Sequence, residues 1–564
     1  MPPWKPEPGY GEFDGSRRLT DAEIDVFRRW LADGLREGDR ADLPPAPEFP
    51  RGWELGEPDL VLTMPAYALR AGGPDMFRNF VVPVASGQMR YVRAWEFHPG
   101  NARVVHHATL QIDASGASRR YDEQDKESGY EGLIAPSARA PDGFFLDWAP
   151  GHRPNVAPDG IAWSLPAASD LVMMLHLRPS GKEEQVQASI GLYFAKDTPT
   201  RIPTMLRLTK QDLDFPANVQ AQRVTDSFTL PTDVDLLTVQ PHAHYLAHDL
   251  RGFARLPDGS LQPLIHIADW DFDWQDVYRF VTPVFLPAGS TLVMEYSYDN
   301  SAANPRNPNT PPRRVTYGQQ TSDEMAELWF QAVPRDPRAR ATLNRRVYEK
   351  ILPAEIDGRR MMLARDPQNV ALHDDLALLY SDANQPRAAV DEFKASLALR
   401  PASAAARYNV GAALLAAGDR LAAREYLEAA LLADANHARA HSSLAVILDA
   451  AGDHATARTH HAQALRLEPG NADIQLSAGV GFAMAGDRAQ AVDHLVEAIR
   501  LQPDWPNAMA ALASVMTDDP RATVQSLRSA VALAERAVEL SAHGNPAFVE
   551  ILDAARVALE RASR

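Results

Sequence analysis

Three histidine-bearing segments of the chain have the residue types and spacing of metal ligands. "VVHHATL" contains His106 and His107, "MMLHLRPS" contains His176, and "QPHAHY" contains His242 and His244. Residues i and i+2 of a strand project from the same face, with Cα atoms roughly 6.6 Å apart. The last pair can therefore bind one ion through bonds of about 2.0–2.1 Å, although two polar residues on a solvated face would have the same spacing.

The other two segments need a special geometry to act together. Adjacent residues of a strand point to opposite faces, so His106 and His107 reach one ion only if their strand is bulged or ends there. His176 lies among apolar residues, where a lone histidine is more often a hydrogen-bonded core residue. We expect two sites, one from the His pair with His176 and one from the His-x-His pair with a further donor. Four other histidines are interpreted as structural: His98, His152, His248 and His266.

The absence of cysteine restricts the choice of metal. It excludes disulfides, thiolate zinc sites, Fe–S clusters, covalently attached haem and blue copper. The further donor of the second site is then a carboxylate such as Asp249, which would suit zinc or iron, or a thioether, which together with imidazole selects copper, especially Cu(I). The methionine candidates are Met173, Met174, Met294 and Met325, each of which is more often a core residue.

These side chains lie in a part of the chain with β character. Residues 1–340 contain short, often alternating β-prone runs separated by turn residues, such as "FRNFVVPV", "MRYVRAWEF" and "STLVMEYSYDN". This pattern predicts two tandem antiparallel β-sandwiches, over residues 51–200 and 201–340, with the seam near 196–206. The Pro- and Asn-rich segment 300–314 is predicted to be a loop.

A helical repeat follows. Turn glycines recur every 34 residues, at Gly418, Gly452 and Gly486. Pro469 and Pro503 close successive periods at the same spacing, and Pro401 lies two periods before Pro469. A helix–turn–helix unit of this length resembles the tetratricopeptide repeat. We predict a linker helix at 341–365, four or five repeats forming an all-α solenoid at 366–540, and a capping helix at 541–564. Such solenoids usually bind a protein or peptide in a concave groove.

The net charge of −17 argues against nucleic acid or an anionic membrane as a partner, since both attract basic patches. No stretch of 18 apolar residues is present, so a membrane span is not expected. The first residues also lack the basic start and apolar run of a signal peptide. Taken alone, that absence would indicate a cytoplasmic location.

Four motifs occur in an order that resembles one enzyme family. "VVHHA", "MLHLRP", "PHAHYL" and "TSDEMAEL" resemble the copper type II, ascorbate-dependent monooxygenases, which include peptidylglycine α-hydroxylating and dopamine β-monooxygenases, over roughly residues 55–335. The resemblance implies two β-sandwiches, each carrying one copper ion. It assigns His106, His107 and His176 to the first copper and His242, His244 and Met325 to the second.

The activity that the resemblance implies is hydroxylation of a C–H bond of a small organic substrate, with O₂ and an external one-electron reductant such as ascorbate. The alternative is a non-catalytic metal-binding protein that acts as an interaction scaffold through its repeats. Gln240 and Trp329 stand where the peptide-amidating members have Arg and Tyr. These two differences argue against a peptide carboxylate substrate and leave an amine or another small aromatic compound open.

The N-terminal segment, residues 1–50, carries a second resemblance. It resembles the end of a c-type cytochrome module, as found ahead of such monooxygenase domains in some bacterial proteins, in which Met1 would be a haem ligand. The CxxCH attachment motif is absent, so no haem is expected in this chain. Within the segment, Thr20 and Glu23 form a capping box that starts a helix. Either the start is a truncation of a longer chain or the haem part was lost. A truncation would also account for a missing signal peptide, so we expect a periplasmic or exported location, with a cytoplasmic one as the alternative.

Overall fold

The computed structural model divides into two compact units, Met1–Ala354 and Glu355–Arg564. The residues that it describes are 4–45, 52–86, 88–131, 134–135, 137–503, 505–541 and 545–563. Met1, the haem-ligand position of the cytochrome resemblance, lies outside them. Among the described residues, no helix has the length and apolar character needed to cross a bilayer.

The first unit is built mainly of strands. They are β1 (Leu60–Thr63), β2 (Tyr67–Leu69), β3 (Met76–Ala85), β4 (Arg90–His98), β5 (Val105–Asp113), β6 (Tyr130–Glu131), β7 (Asp147–Trp148), β8 (Asn155–Val156), β9 (Trp163–Leu165), β10 (Ala168–Leu177), β11 (Glu184–Val186), β12 (Ser189–Phe194), β13 (Thr204–Thr209), β14 (Asp214–Phe215), β15 (Val219–Thr229), β16 (Val234–Ala243), β17 (Ala247–Arg255), β18 (Leu261–Ile267), β19 (Tyr278–Leu286), β20 (Thr291–Asn300), β21 (Val315–Thr316) and β22 (Ala326–Pro334). The helices are α1 (Asp21–Ala32), α2 (Ala117–Gln124) and α3 (Arg340–Arg365), the last of which continues into the second unit.

The paired strands form antiparallel sheets. Two sheets have five strands, in the orders β1-β12-β4-β8 (with β9 also on β4) and β6-β3-β10-β5-β7. Two have four strands, in the orders β13-β22-β16-β19 and β15-β20-β17-β18, and the pairs β11-β2 and β14-β21 complete the set. The prediction of a β-rich first part is confirmed, whereas its division into two sandwiches stays a prediction.

The two five-stranded sheets share one apolar core. It contains Trp95 and Leu192 from one sheet and Phe80, Leu110 and Leu175 from the other. Because side chains alternate along a strand, Leu175 directs the next residue, His176, to the opposite face of β10. The core thereby decides which face of the sheet carries the histidine.

The two four-stranded sheets also contact each other closely. A Cβ atom on Gly252 of β17 would lie 2.7 Å from the Leu328 side chain of β22, so only glycine permits this approach. The hydroxyl of Tyr296 donates to the backbone oxygen of Glu327 at 2.7 Å, and that of Tyr298 donates to the oxygen of Met325 at 2.7 Å. The β15-β20-β17-β18 sheet thus supports β22 from behind.

The N-terminal segment lies along β19, where Phe13 bridges to Phe280. Helix α1 begins with the predicted capping box: the Thr20 backbone N–H donates to the Glu23 carboxylate at 2.7 Å, and the Glu23 N–H donates to the Thr20 hydroxyl at 3.2 Å. No residue of α1 is buried. Its apolar face therefore covers no core of the described chain.

The second unit consists of helices. They are α4 (Val370–Asp382), α5 (Pro386–Leu399), α6 (Ala404–Ala416), α7 (Arg420–Ala433), α8 (Ala438–Ala450), α9 (His454–Leu467), α10 (Ala472–Met484), α11 (Arg488–Leu501), α12 (Pro506–Thr517), α13 (Val524–Leu540) and α14 (Pro546–Ala562). Gly418, Gly452 and Gly486 sit in the turns within successive helix pairs at φ +84°, +83° and +80°. Left-handed backbone at these positions explains the glycine period. The unit is a solenoid of the tetratricopeptide type.

Most histidines of the solenoid link the two helices of one repeat. The equivalent contacts are His373 Nδ1 to Glu392 at 2.6 Å, His441 Nδ1 to His460 Nδ1 at 2.8 Å, and His494 Nδ1 to Gln475 at 2.8 Å. The partner on the first helix of each pair (His373, His441 or Gln475) also bonds the backbone carbonyl six residues earlier, at 3.1, 3.1 and 2.7 Å respectively. A contact that recurs at the same place in three repeats is a packing feature.

The repeat formed by α8 and α9, called the middle repeat below, differs from its neighbours at three positions. Leu427 and Leu495 are fully buried and pack against Gly411 and Gly479 of the facing helix. In the middle repeat, His461 stands in place of the leucine and Ala445 in place of the glycine. The third position is Asp449, whose carboxylate accepts a hydrogen bond from His461 Nε2 at 2.9 Å. A polar pair thus replaces an apolar contact inside the solenoid.

Candidate metal centres

The first histidine cluster forms where β5 pairs with β10. His176 lies opposite His107, and the next pair is Leu177 with Val105, so His106 is an extra residue in β5. This bulge turns His106 to the side of its neighbour, which a regular strand would not allow. His107 Nδ1 lies 3.2 Å from His106 Nδ1 and 3.3 Å from His176 Nδ1. The structure thus brings the three predicted residues of the first site together.

Neighbouring side chains orient these imidazoles. The Asp75 carboxylate lies 2.8 Å from His176 Nε2, which places the ring proton there and leaves the Nδ1 lone pair facing the cluster. Phe77 stacks on the same ring with centroids 4.3 Å apart. An outer carboxylate on a histidine ligand is the usual arrangement in metal sites. Asp75 was not recognised from the sequence, because it precedes β3 and lies 101 residues from His176.

The distances in this cluster suit a single ion. Two ligands with bonds of about 2.0 Å and a tetrahedral angle have donor atoms about 3.3 Å apart, close to the 3.2 and 3.3 Å seen here. Burial lowers the pKa of His107 to about 3, and the neighbouring imidazoles add to this effect. The rings are therefore neutral at ordinary pH, the form in which histidine binds metals.

The second cluster joins β16 to the residue that precedes β22. His242 and His244 lie at i and i+2, with ring centroids 5.4 Å apart. His242 Nε2 is 3.2 Å from the Met325 sulfur, 83 residues away in sequence. The thioether thus lies against one imidazole of the pair, and the second imidazole lies beside the first. Burial lowers the pKa of His244 to about 3, which keeps this ring neutral as well.

The segment between β18 and β19 orients the second cluster. The Gln275 amide oxygen lies 2.6 Å from His242 Nδ1, which leaves Nε2 free to face the sulfur. Phe272 packs edge-on against His244 at 5.3 Å, and the Trp270 indole N–H donates to the His244 carbonyl at 3.0 Å. The carbonyl of Asp323 lies 3.2 Å from His244 Nδ1. No spacing in the sequence pointed to this segment.

Glu324 is the other side chain that sequence reasoning missed. It is fully buried, and its carboxylate accepts the backbone N–H groups of His244, Leu246 and Met325. Burial raises the pKa of Glu324 to about 8, while the three donated hydrogen bonds act in the opposite direction.

Other candidate ligands lie elsewhere. Asp249, considered as a carboxylate partner of the His-x-His pair, instead bonds His266 Nε2 at 2.8 Å and Arg251 at 2.8 Å, so that interpretation is wrong. Met173 and Met294 are completely buried in the cores. Of the remaining histidines interpreted as structural, His98 bonds Glu96, His152 faces Asp276 and His248 is exposed.

Both centres belong to the first unit, and their surroundings are connected. His242 makes a small contribution to the lowered pKa of His107, so the two clusters lie near each other. Burial raises the pKa of Asp147 of β7, while the side chains of Thr109, two residues beyond His107, and Gln240, two residues before His242, act in the opposite direction. Asp147 therefore lies near both strands that carry the clusters.

Comparisons with known proteins reach only the helical part. Neither the protein-family models nor the curated proteins include a match. A thermophilic TPR protein from Thermus thermophilus is 22% identical over 33% of this chain and 98% of its own (TM-score 0.30). A tetratricopeptide repeat protein from Parabacteroides merdae is 14% identical over 39% and 86% (TM-score 0.32), and MamA is 24% identical over 28% and 94% (TM-score 0.24). The solenoid assignment therefore rests on the period and the helix pairs described above.

Proposed function

We propose that the first unit is a copper-dependent monooxygenase. It would hydroxylate a C–H bond of a small organic substrate, using O₂ and an external one-electron reductant such as ascorbate. The observation that carries the proposal is the pair of separate donor sets in one unit, three imidazole Nδ1 atoms in one and two imidazoles with a thioether in the other. The four motifs that resemble the monooxygenase family supply these donors.

The donor chemistry favours copper at both centres. Imidazole suits copper, and the thioether of Met325 favours Cu(I), the form that reacts with O₂. Bound copper would store the two electrons and activate O₂. The protein side chains have other tasks: Asp75 and Gln275 fix which nitrogen of each histidine faces the metal, and Glu324 holds the second set in place.

We also propose how the sheets of the first unit are grouped, which substrate it takes and where in the cell it acts. We infer that the two five-stranded sheets form the first sandwich and the two four-stranded sheets the second, so that each sandwich carries one centre. Near the second centre, Gln240 pairs with Trp329 across β16 and β22, and Arg207 lies over the indole at 4.8 Å. Because Gln240 and Trp329 replace the Arg and Tyr of the peptide-amidating members, a peptide carboxylate is not the expected substrate, and an amine or another small aromatic compound stays open. The N-terminal resemblance favours a periplasmic or exported protein.

A second candidate is a metal-binding protein without turnover, whose output is a protein or peptide partner held by the solenoid. It is favoured by the regular repeat of the second unit, since such stacks use their concave face for binding. In the monooxygenase proposal the same solenoid docks a partner to the enzyme. The two candidates therefore differ only in what the first unit does with its metals.

Copper stoichiometry and O₂ consumption separate the candidates. We expect two coppers per chain in the natural protein and one in His242→Ala or Met325→Ala. His248→Ala is the matched control, because this exposed histidine lies four residues after His244. With ascorbate and a panel of small amines and aromatic compounds, O₂ uptake should accompany a hydroxylated product. Two coppers without O₂ uptake across the panel would favour the scaffold, and a single zinc ion would contradict the copper-dependent monooxygenase.

A further inference from the structure

One buried carboxylate connects the two segments that supply the second centre. The Glu324 Oε1 atom accepts the backbone N–H of His244 and the backbone N–H of Met325, the latter at 2.8 Å. Its Oε2 atom accepts the N–H of Leu246 at 2.8 Å. A single oxygen therefore ties the main chain of one proposed ligand to the main chain of another.

The carbonyl groups of the same two ligands are also held by buried side chains. The Trp270 indole donates to the oxygen of His244 at 3.0 Å, and the Tyr298 hydroxyl donates to the oxygen of Met325 at 2.7 Å. Trp270 and Tyr298 are at most 1% exposed. The backbone of both ligands is thus fixed on its N–H side and on its carbonyl side, without any contribution from a metal.

We propose that Glu324 is a positioning residue that assembles the His242, His244 and Met325 centre before a metal ion arrives. The inference rests on the proposed function in taking copper as the ion. Without the carboxylate, three buried N–H groups would lose their acceptor, and each such loss is costly in a protein interior. The segment before β22 would then separate from β16, and the sulfur would leave the imidazoles.

The test uses the full chain with Glu324→Ala and Glu324→Gln. Outer-shell changes typically weaken metal affinity about 10- to 100-fold, and we expect this loss of Cu(I) affinity at the second centre of Glu324→Ala, with the first centre unchanged. The Cu–S signal in X-ray absorption should fall in the same variant. Glu324→Gln should be intermediate, because its amide oxygen can still accept while its amide nitrogen cannot. Should Glu324→Ala fail to fold, Glu324→Gln decides by the same two measurements.

Asp113→Ala is the matched control for a purely structural effect. This buried carboxylate also accepts two backbone N–H groups, of Ser115 and Ser118, at 2.8 and 2.7 Å. It should lower the melting temperature and leave the Cu–S signal intact. Wild-type affinity and Cu–S signal in Glu324→Ala would overturn the proposal.

A metal-free measurement keeps this inference separate from the monooxygenase proposal. In the apo protein, the amides of His244, Leu246 and Met325 should be protected from hydrogen exchange, and Glu324→Ala should remove that protection. Protected amides together with two coppers and no hydroxylation would refute the enzyme and leave the positioning role standing. Unprotected amides in the natural apo protein would refute the positioning role whatever the activity.

Discussion

The polar pair inside the solenoid permits a quantitative prediction. His461 is 1% exposed and Asp449 is 4% exposed, and they bond at 2.9 Å. His454 bonds the other Asp449 oxygen at 2.9 Å. In Asp449→Ala, His461 loses the partner of Nε2, and its Nδ1 atom already has none among the described residues. An unpartnered buried polar group costs about 1–3 kcal/mol, which corresponds to roughly a 5- to 150-fold higher population of the locally unfolded repeat.

The neighbouring repeats supply the compensating changes. Replacing Ala445, Asp449 and His461 by Gly, Ala and Leu copies the fourth repeat, which has Gly479, Ala483 and Leu495 at these positions. The glycine is needed because a Cβ atom on Gly479 would lie 2.7 Å from Leu495. Replacing both partners of a buried hydrogen bond by apolar groups is nearly neutral or stabilising, and a helical glycine costs about 1 kcal/mol. We therefore expect the triple variant to be at most about 1 kcal/mol less stable than the natural chain and more stable than Asp449→Ala.

Hydrogen exchange of α8 and α9 in the full chain measures both effects. Burial lowers the pKa of His461 below its ordinary value of 6.5. The unfolded repeat therefore binds a proton at higher pH than the folded one, so stability falls as the pH drops through about 6.5. We expect natural protection to weaken between about pH 7.5 and about pH 5.5, and the triple variant to weaken less. Protection in Asp449→Ala equal to that of the natural chain, or an unchanged pH response in the triple variant, would refute the reasoning.

Three other predictions concern the metal centres and the packing of the solenoid. Asp75→Ala should lower copper affinity at the first centre about 10- to 100-fold and spare the second, as a copper titration would measure. The metal-free first unit should lose stability as the pH falls from about 6.5 towards 3, because the pKa values of His107 and His244 are near 3 when folded and near 6.5 when unfolded; a pH series of thermal melts checks this. Gly481→Ala should cost about 1–3 kcal/mol by overpacking, since its Cβ would overlap the side chains of both Asp449 and His461, and urea unfolding of the second unit measures it.

Local patterns predicted the elements well. The alternating runs became strands, the Thr20 capping box became the start of α1, and the period of 34 residues became helix pairs with left-handed glycines in their turns. The spacing of His242, in β16, and His244, just after it, also placed the two rings side by side, with centroids 5.4 Å apart. Each of these features depends on residues that are close in sequence, where backbone geometry alone relates one side chain to the next.

The tertiary structure decided which candidates meet. Four methionines were open from the sequence, and the pairing of β16 with β22 brought Met325 to His242 while Met173 and Met294 entered the cores. The bulge that turns His106 depends on how β5 pairs with β10.

Asp75, Gln275 and Glu324, which orient the ligands, come from loops or from the residue just before a strand, where no period exists. Burial in the assembled sheets also set the pKa values that keep the histidines neutral. The sequence by itself thus determined the elements and the ligand types, because those follow from local backbone geometry. The composition of each centre required the tertiary structure, because strand register and burial bring together groups that are distant in sequence.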